Sequence, residues 1–470
     1  MFLKIFQFVM ITSAISVIAS EKPDVLFIVL DDLNDYIGAY GNEQAITPNL
    51  DRFASQSMRF DLAMSATPLC NPSRTAVMTG LPAYVTGIYE NNHYFRDFPK
   101  WENWVTLPQY FRQYGYRAVA GGKVFHKPSG QHADAQSWDE IYHDRSGTMS
   151  PPLDKKWAHG MKDEFELDYY QKAIDWAGLD VPKEETADWI TADRAAKILQ
   201  EEHDQPLFLA VGIFRPHLPW YAPQEFFDLY PLDEVTLPET VVNDLADVGP
   251  IGRRMAGGQA QSVIEGNGKW KEAVQAYLAN VSYADACVGH VLDALEKSGR
   301  ADNTIVVLWS DHGFHLGEKE HWEKYTLWER ANRAPLIVKA PGVTDAGSVC
   351  SKPVSLIDLQ PTLIELCGLP ARDDIYGNSL LPLLKGDQAN WDKPVLMTHY
   401  PNNHAVRSER YRYIRYADGF EELYDHQVDP NEFTNLAGNP EYREVMDRLA
   451  KEMPKINADW PDYERDFNQH

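Results

Sequence analysis

The chain has 470 residues, 44 Lys and Arg against 69 Asp and Glu, a formal net charge of −25 and 44% apolar residues. That is ordinary globular composition, which excludes a disordered or fibrous chain. The negative charge argues against a nucleic-acid backbone or an anionic membrane surface as partner, so an anionic substrate would need a locally basic pocket.

Met1 to Lys4 carries one positive charge, Ile5 to Ile18 is mostly apolar, and a cut is expected near Ala19–Ser20. Residues 1–19 therefore read as a secretory signal peptide, which predicts a secreted or periplasmic protein without a membrane partner after signal removal. The apolar run is shorter than the ~20 residues needed to span a bilayer.

Asp24 to Leu30 is apolar after its first residue and ends on Asp31-Asp32, the pattern of a strand buried on both faces. Thr47-Pro48 is predicted to open a helix with Leu50, Phe53 and Ala54 on one face. Leu107 to Tyr114 reads as a helix, Arg117 to Ala120 as a strand, Thr186 to His203 as a helix and Pro206 to Gly212 as a buried strand. Gly249 to Gly268 is glycine-rich without clear period and is expected to be a mobile surface loop. Lys269 to Lys297 keeps helical periodicity, and Thr304 to Trp309 is an apolar strand running into Ser310-Asp311-His312-Gly313. Pro335 to Lys339 reads as a strand and Leu356 to Cys367 as a helix. This alternation predicts an α/β fold with one large, mostly parallel central sheet.

Ala389 to Asn403 reads as a linker. Beyond it, Arg410 to Tyr416, Leu423-Tyr424 and a turn at Asp429-Pro430-Asn431 predict a short antiparallel sheet closed by a helix near Tyr442 to Met453. The domain reading is a catalytic body over 20–395 and a smaller C-terminal subdomain over 396–470. Four cysteines, Cys70, Cys287, Cys350 and Cys367, are too few for a disulfide scaffold or a zinc site. Cys287 is expected in the core, and a Cys350–Cys367 pair stays open in an oxidising compartment.

Ligands of open α/β sheets gather beyond the carboxyl ends of the strands. Two strand ends deliver Asp31-Asp32 and Asp311-His312 to that edge. Aspartates crowded together repel unless a cation neutralises them, which suggests a hard divalent metal, calcium or magnesium. The plainer alternative is that each strand-end aspartate caps the following helix.

Between the two pairs lies Pro68-Leu69-Cys70-Asn71-Pro72-Ser73-Arg74-Thr75-Ala76-Val77-Met78-Thr79-Gly80. Cys-x-Pro-Ser-Arg followed by Thr-Gly resembles the signature of the formylglycine-dependent sulfatases. Asp31-Asp32-Leu33, Gly121-Gly122-Lys123-Val124-Phe125-His126, Ala210-Val211-Gly212, Arg215-Pro216-His217-Leu218-Pro219, Trp322-Glu323-Lys324-Tyr325 and Glu422-Leu423-Tyr424-Asp425 are similar to the iduronate-2-sulfatase branch.

The resemblance implies an alkaline-phosphatase-like sandwich, a maturation enzyme that reads Cys70, Pro72 and Arg74, and a formylglycine made from Cys70. It implies calcium held by Asp31, Asp32, Asp311 and His312 with the hydrated aldehyde of Cys70 as a further ligand. Arg74, Lys123 and Lys324 would surround the nucleophile and the sulfate with positive charge, and Asp311 could accept the nucleophile's proton. His126 would be the base that expels sulfate and restores the aldehyde, and His217 the acid for the leaving oxygen. By the same analogy His93 and Arg96 in Tyr89 to Arg96, with His217 and Lys324, would bind substrate, Arg96 reading a carboxylate or second sulfate. The implied substrate is a sulfated carbohydrate, and the contrast between a net charge of −25 and the basic cluster Arg74, Lys123, Lys324 and Arg96 predicts that it is presented at a chain end or in a short oligosaccharide. Two other functions stay open: a phosphonate or phosphate monoester hydrolase on the same scaffold, and an inactive sulfated-glycan binder.

Overall fold

The structure, a computed structural model, describes residues 22–142, 174–257 and 260–459, so the expected signal peptide lies outside the described residues. The central sheet has eight strands: β1 (Asp24–Asp31), β2 (Met58–Phe60), β3 (Arg117–Gly122), β4 (Glu140–Tyr142), β5 (Leu207–Pro216), β6 (Thr304–Ser310), β7 (Leu336–Lys339) and β8 (Ser348–Cys350). Their spatial order is β8-β2-β7-β6-β1-β5-β3-β4. Every pairing is parallel except those of β7, which runs antiparallel to both β6 and β2. Parallel neighbours need a long crossover, usually helical. The chain between β6 and β7 instead carries only short elements and folds back over the strand ends.

β1 sits at the centre, and its apolar run has no polar alternation because both faces are covered. Leu26, Ile28 and Leu30 pack toward helices Ala187–Gln200 and Trp270–Lys297 through Ile198, Leu278 and Val281. Val25, Phe27 and Val29 face the other layer, where Phe111, Met78 and Leu363 come from helices Leu107–Gln113, Cys70–Thr79 and Leu359–Leu366. Each such side chain contributes about 1.5–3 kcal/mol by leaving water.

The C-terminal sheet is a four-stranded antiparallel meander of β9 (Val395–Thr398), β10 (His404–Arg407), β11 (Tyr411–Arg415) and β12 (Glu421–Asp425). One face packs on Leu327 and Trp328 of the catalytic body, and the other is closed by helix Arg443–Leu449 through Met446 and Leu449.

Two expectations need correction. Gly249 to Gly268 is not a loop: helices Pro250–Ala256 and Ala260–Gly266 occupy most of it. Pro250 opens the first as an N1 proline, and buried Ile251, Ala256 and Ile264 anchor the pair in two different cores. The expected linker over Ala389 to Asn403 contains β9, whose Val395 and Met397 are core residues. All four cysteines are free and buried, so Cys350 and Cys367 are not joined. Among the described residues, no helix is long and apolar enough to cross a membrane.

Candidate active site

β1 and β6 are parallel neighbours with Leu30 opposite Ser310, so their carboxyl ends lie level. That register is what brings Asp31-Asp32 and Asp311-His312 together. Successive strand residues point to opposite faces. Asp32 escapes this by adopting a left-handed backbone (φ 64°), which a non-glycine residue takes up only when its surroundings enforce it. Its backbone N–H donates to Asp311 Oδ1 at 3.2 Å, and its carbonyl accepts from Tyr277 Oη at 2.8 Å.

Helix Cys70–Thr79 starts at Cys70 and directs its first turn at these strand ends. Ser73 Oγ donates to the Asp311 carbonyl at 2.5 Å, and Asn71 Nδ2 donates to the carbonyls of Glu90 and His93 at 2.8 and 2.6 Å. The Cys70 thiol, 1% exposed, lies 3.3 Å from His312 Nε2 and 3.9 Å from Asp32 Oδ1. Burial pushes the thiol well above its ordinary pKa, although Lys123 and Lys324 pull the other way. A plain cysteine here is therefore protonated and a poor nucleophile.

Arg74 is fully buried. Its Nε donates to Asp311 Oδ2 at 2.8 Å and its Nη2 to Asp31 Oδ1 at 3.0 Å, while Nη1 donates to the carbonyls of Lys123 and Val124. Lys123 Nζ bonds the other oxygen of Asp31, and Lys324 Nζ straddles Asp32 at 2.8 and 3.0 Å. Burial opposes ionisation of Asp31, but Lys123 and Arg74 outweigh it and hold the carboxyl well below the usual range. Asp32 goes the other way. Burial and the charge of Asp31 raise its pKa against Lys324.

Oxygens of Asp31, Asp32 and Asp311 lie within 4.8 Å of one another, as do ligand atoms of Asp32, Cys70 and His312 and of Asp31, Cys70 and His217. His312 Nδ1 faces the Gly313 carbonyl at 2.9 Å, which leaves the lone pair on Nε2 toward Cys70. Three hard carboxylates with one histidine nitrogen suit calcium or magnesium, and a cation there would lower the raised pKa of Asp32.

His126 is a partly buried neutral imidazole: desolvation first, then Lys123, pull its pKa down to about 2, and its Nδ1 has no partner. Its ring lies 5.7 Å from that of His132, a neighbour the sequence motifs do not single out. His217 Nδ1 faces the Leu218 carbonyl at 2.5 Å and its Nε2 lies 3.8 Å from Asp32 Oδ2. Burial, then Lys324, lower its pKa strongly, yet 21% of its side chain stays exposed, which places it at the open side. Asp188 accepts from the N–H groups of Phe214 and Arg215, and Arg215 Nη1 donates to the His217 carbonyl at 2.9 Å, so both steady this loop. Asp188 carries no motif and is visible only in the fold.

The structure thus gathers Cys70, Arg74, Lys123, His126, His217, Asp31, Asp32, Asp311, His312 and Lys324 around one point. Arg96 does not join them. Its Nε and Nη2 donate to Asp134 at 2.6 and 2.9 Å, Nη2 also to Gln109, and Nη1 to the carbonyls of Glu102 and Trp104. All five N–H donors are occupied inside the protein, which corrects the expectation of a substrate-reading arginine. His93 is buried beneath the first turn of the Cys70 helix and supports it through its carbonyl.

Residues 23–369 match the sequence profile of the sulfatase family, and residues 317–459 match a profile described as N-sulphoglucosamine sulphohydrolase, C-terminal. A sulfatase from Formosa agariphila is 37% identical over 458 residues, covering 94% of this chain and 88% of that protein. Iduronate 2-sulfatase from Mus musculus is 34% identical over 397 residues, covering 75% of this chain and 70% of that protein. The solved phosphonate monoester hydrolase from Silicibacter pomeroyi has the same fold, with a TM-score of 0.74, 22% identity, and coverage of 92% of this chain and 94% of that one. At that identity the likeness speaks for the scaffold alone, not for the group transferred.

Proposed function

The chain belongs to the sulfatase family and is a sulfuric ester hydrolase, and from that premise we propose that it removes sulfate from a sulfated carbohydrate, with Cys70 acting as a formylglycine beside a bound calcium. The observation that carries the reading is the convergence of three buried carboxylates and three buried cations on the Cys70 side chain. Asp31, Asp32, Asp311 and His312 would hold the calcium. At position 70 the hydrated aldehyde supplies a nucleophilic hydroxyl, and the metal supplies positive charge that acidifies it and offsets charge on the sulfuryl oxygens.

The remaining chemistry belongs to ordinary side chains. Arg74 fixes Asp31 and Asp311 from two sides with a rigid planar fork. Lys123 and Lys324 are compact charges on flexible stems, able to turn from the carboxylates toward an arriving sulfate. His217 starts neutral; the negative charge of a bound sulfate raises its pKa and prepares it to protonate the leaving oxygen. His126, held neutral with a free Nδ1, takes a proton from the side chain at position 70 as sulfate departs, negative charge developing there lifting its depressed pKa.

The iduronate relative supports a sugar substrate, and burial of the site supports a narrow entrance. With Cys70 1% exposed and His217 at the rim, a sulfate at a chain end or on a short oligosaccharide reaches the nucleophile more readily than one inside a polymer. Cys70, Pro72 and Arg74 are all buried, so a maturation enzyme must read them before the chain folds. The N-terminal signal supports secreted or periplasmic export, checked by an exported chain that begins at Ser20.

The test is sulfate release from defined sulfated oligosaccharides, with an aryl phosphate and a phosphonate as counter-substrates and mass spectrometry of the peptide around residue 70. Sulfate release by protein carrying the aldehyde is expected. Turnover of the phosphorus esters alone, or full activity with only plain cysteine at position 70, would overturn the reading.

A further inference from the structure

Lys324 sits on a strained stretch of chain. Lys319, Glu320, Glu323 and Tyr325 all have left-handed backbones, with φ of 56°, 51°, 79° and 75°. Such a conformation persists in non-glycine residues only where the surroundings hold it. His321 lies in the middle of this stretch and is buried. Its Nδ1 faces the Ala256 carbonyl at 2.7 Å, and its Nε2 faces the carbonyl of Lys324 itself.

Both partners are acceptors. A neutral imidazole has one N–H and one lone pair, so it can satisfy only one of two carbonyls and must turn a lone pair on the other. An imidazolium satisfies both. The neighbouring His315 shows the contrast: Nδ1 faces the Glu318 carbonyl at 3.0 Å, but Nε2 faces the Thr326 hydroxyl at 3.2 Å, which can donate, so a neutral ring serves there.

From these contacts we infer that His321 is a positioning residue for Lys324, and that it clamps the Lys324 carbonyl to helix Pro250–Ala256 as an imidazolium, completing the clamp in acid and losing one bond on deprotonation. The functional consequence rests on the role given to Lys324 above. With one ring bond gone, His321 keeps its backbone bonds to Glu318 and Gly317 but braces the Lys324 carbonyl less firmly, and the Lys324 ammonium is held less firmly over Asp32.

Titratable groups surround His321, among them Glu320 and Glu323 on its own stretch. His315 packs at 5.0 Å ring to ring. His399, from the C-terminal sheet, has no partner on either nitrogen and is pushed down to about 3 by burial. On its own stretch Lys319 pairs with Asp244 at 2.7 Å and Glu318 accepts from the Leu316 N–H and pairs with Arg330. From helix Pro250–Ala256 the contact is the Ala256 carbonyl, while Arg253 of that helix binds the carbonyls of Leu245 and Ala246. Burial lowers the pKa of His321 and its two carbonyl partners raise it again, with burial ahead. The second proton is therefore held in acid and given up toward neutrality.

The experiment has two arms. Nitrogen-15 NMR of protein with an unmodified Cys70 counts the protons on the His321 ring, and two ring protons at about pH 4 giving way to one at about pH 7 are expected, the change centred below the ordinary histidine range. In matured enzyme, KM for an aryl sulfate should rise about tenfold over the same interval with kcat changing less, and His321→Gln should flatten that rise. A ring already neutral near the acid end, or an equal rise in His321→Gln, overturns the inference. The NMR arm needs neither turnover nor the variant, so it decides the charge of His321 even if His321→Gln does not fold or the chain proves not to cleave sulfate esters.

Discussion

Two of the protein's buried clusters of opposed charges differ in the cations that close them. Between the catalytic body and the C-terminal sheet, Glu329 accepts from Arg407 Nε at 2.9 Å, and Glu432 pairs with Arg412 by charge, its Oε1 2.9 Å from Nε, and lies 3.0 Å from His426 Nε2. The Glu329 N–H donates to Glu432 at 2.8 Å, and Arg412 also bonds Glu329. Although Glu329, His426 and Glu432 have ligand atoms close enough for a metal, guanidinium forks already provide the positive charge. That cluster is a joint between two sheets. At the strand ends Arg74 plays the same part for Asp31 and Asp311, but the other oxygen of Asp31 is held by Lys123, and Lys324 is the close partner of Asp32. Balance of buried charge alone does not mark a functional site. Lysines, which can change partners, and a thiol at the focus do.

Four experiments would break or sharpen this contrast. The largest effect belongs to Cys70→Ala, which should lower kcat/KM at least about 10⁴-fold. Its thermal midpoint should stay close to wild type, because no ion pair is cut; a collapse in stability would make Cys70 structural instead. Next, Glu329→Gln leaves Arg407 and Arg412 facing a neutral amide and should cost about 3–5 kcal/mol in urea unfolding. Activity per folded molecule should be kept. A loss of activity without loss of stability would show that the joint reports to the active site.

Chelation acts on the strand-end cluster alone. Where the metal is about 100-fold above its Kd, removing it should cost about 2.7 kcal/mol of stability and abolish turnover, with calcium restoring both. Undiminished activity in protein shown by elemental analysis to be metal-free would end the calcium reading. The smallest effect is expected from Arg96→Gln, which removes bonds to the buried Asp134 and should destabilise by about 1–3 kcal/mol. KM for an acidic sugar and for a neutral aryl sulfate should then move together. A rise confined to the acidic sugar would return Arg96 to the substrate side.

The amino-acid order alone determined the apolar β1 run, the acidic pairs at the ends of β1 and β6, the Cys70–Arg74 motif and the alternation of strands and helices. These are local signals: a strand covered on both faces must be apolar throughout, and a turn at its end is where charge can stand. Only the tertiary structure decided the antiparallel course of β7, the helices over Pro250–Ala256 and Ala260–Gly266, and the service of Asp188 behind the His217 loop. It also decided the fate of Arg96. An arginine among aromatic residues reads the same whether it faces a pocket or a buried carboxylate, and its partner Asp134 lies 38 residues away. The same holds for His321, whose meaning comes from two carbonyls, one of them 65 residues distant. Sequence sets which groups must be buried or paired, whereas long-range packing chooses the partners, because hydrogen bonds and ion pairs depend on distances that no local pattern encodes.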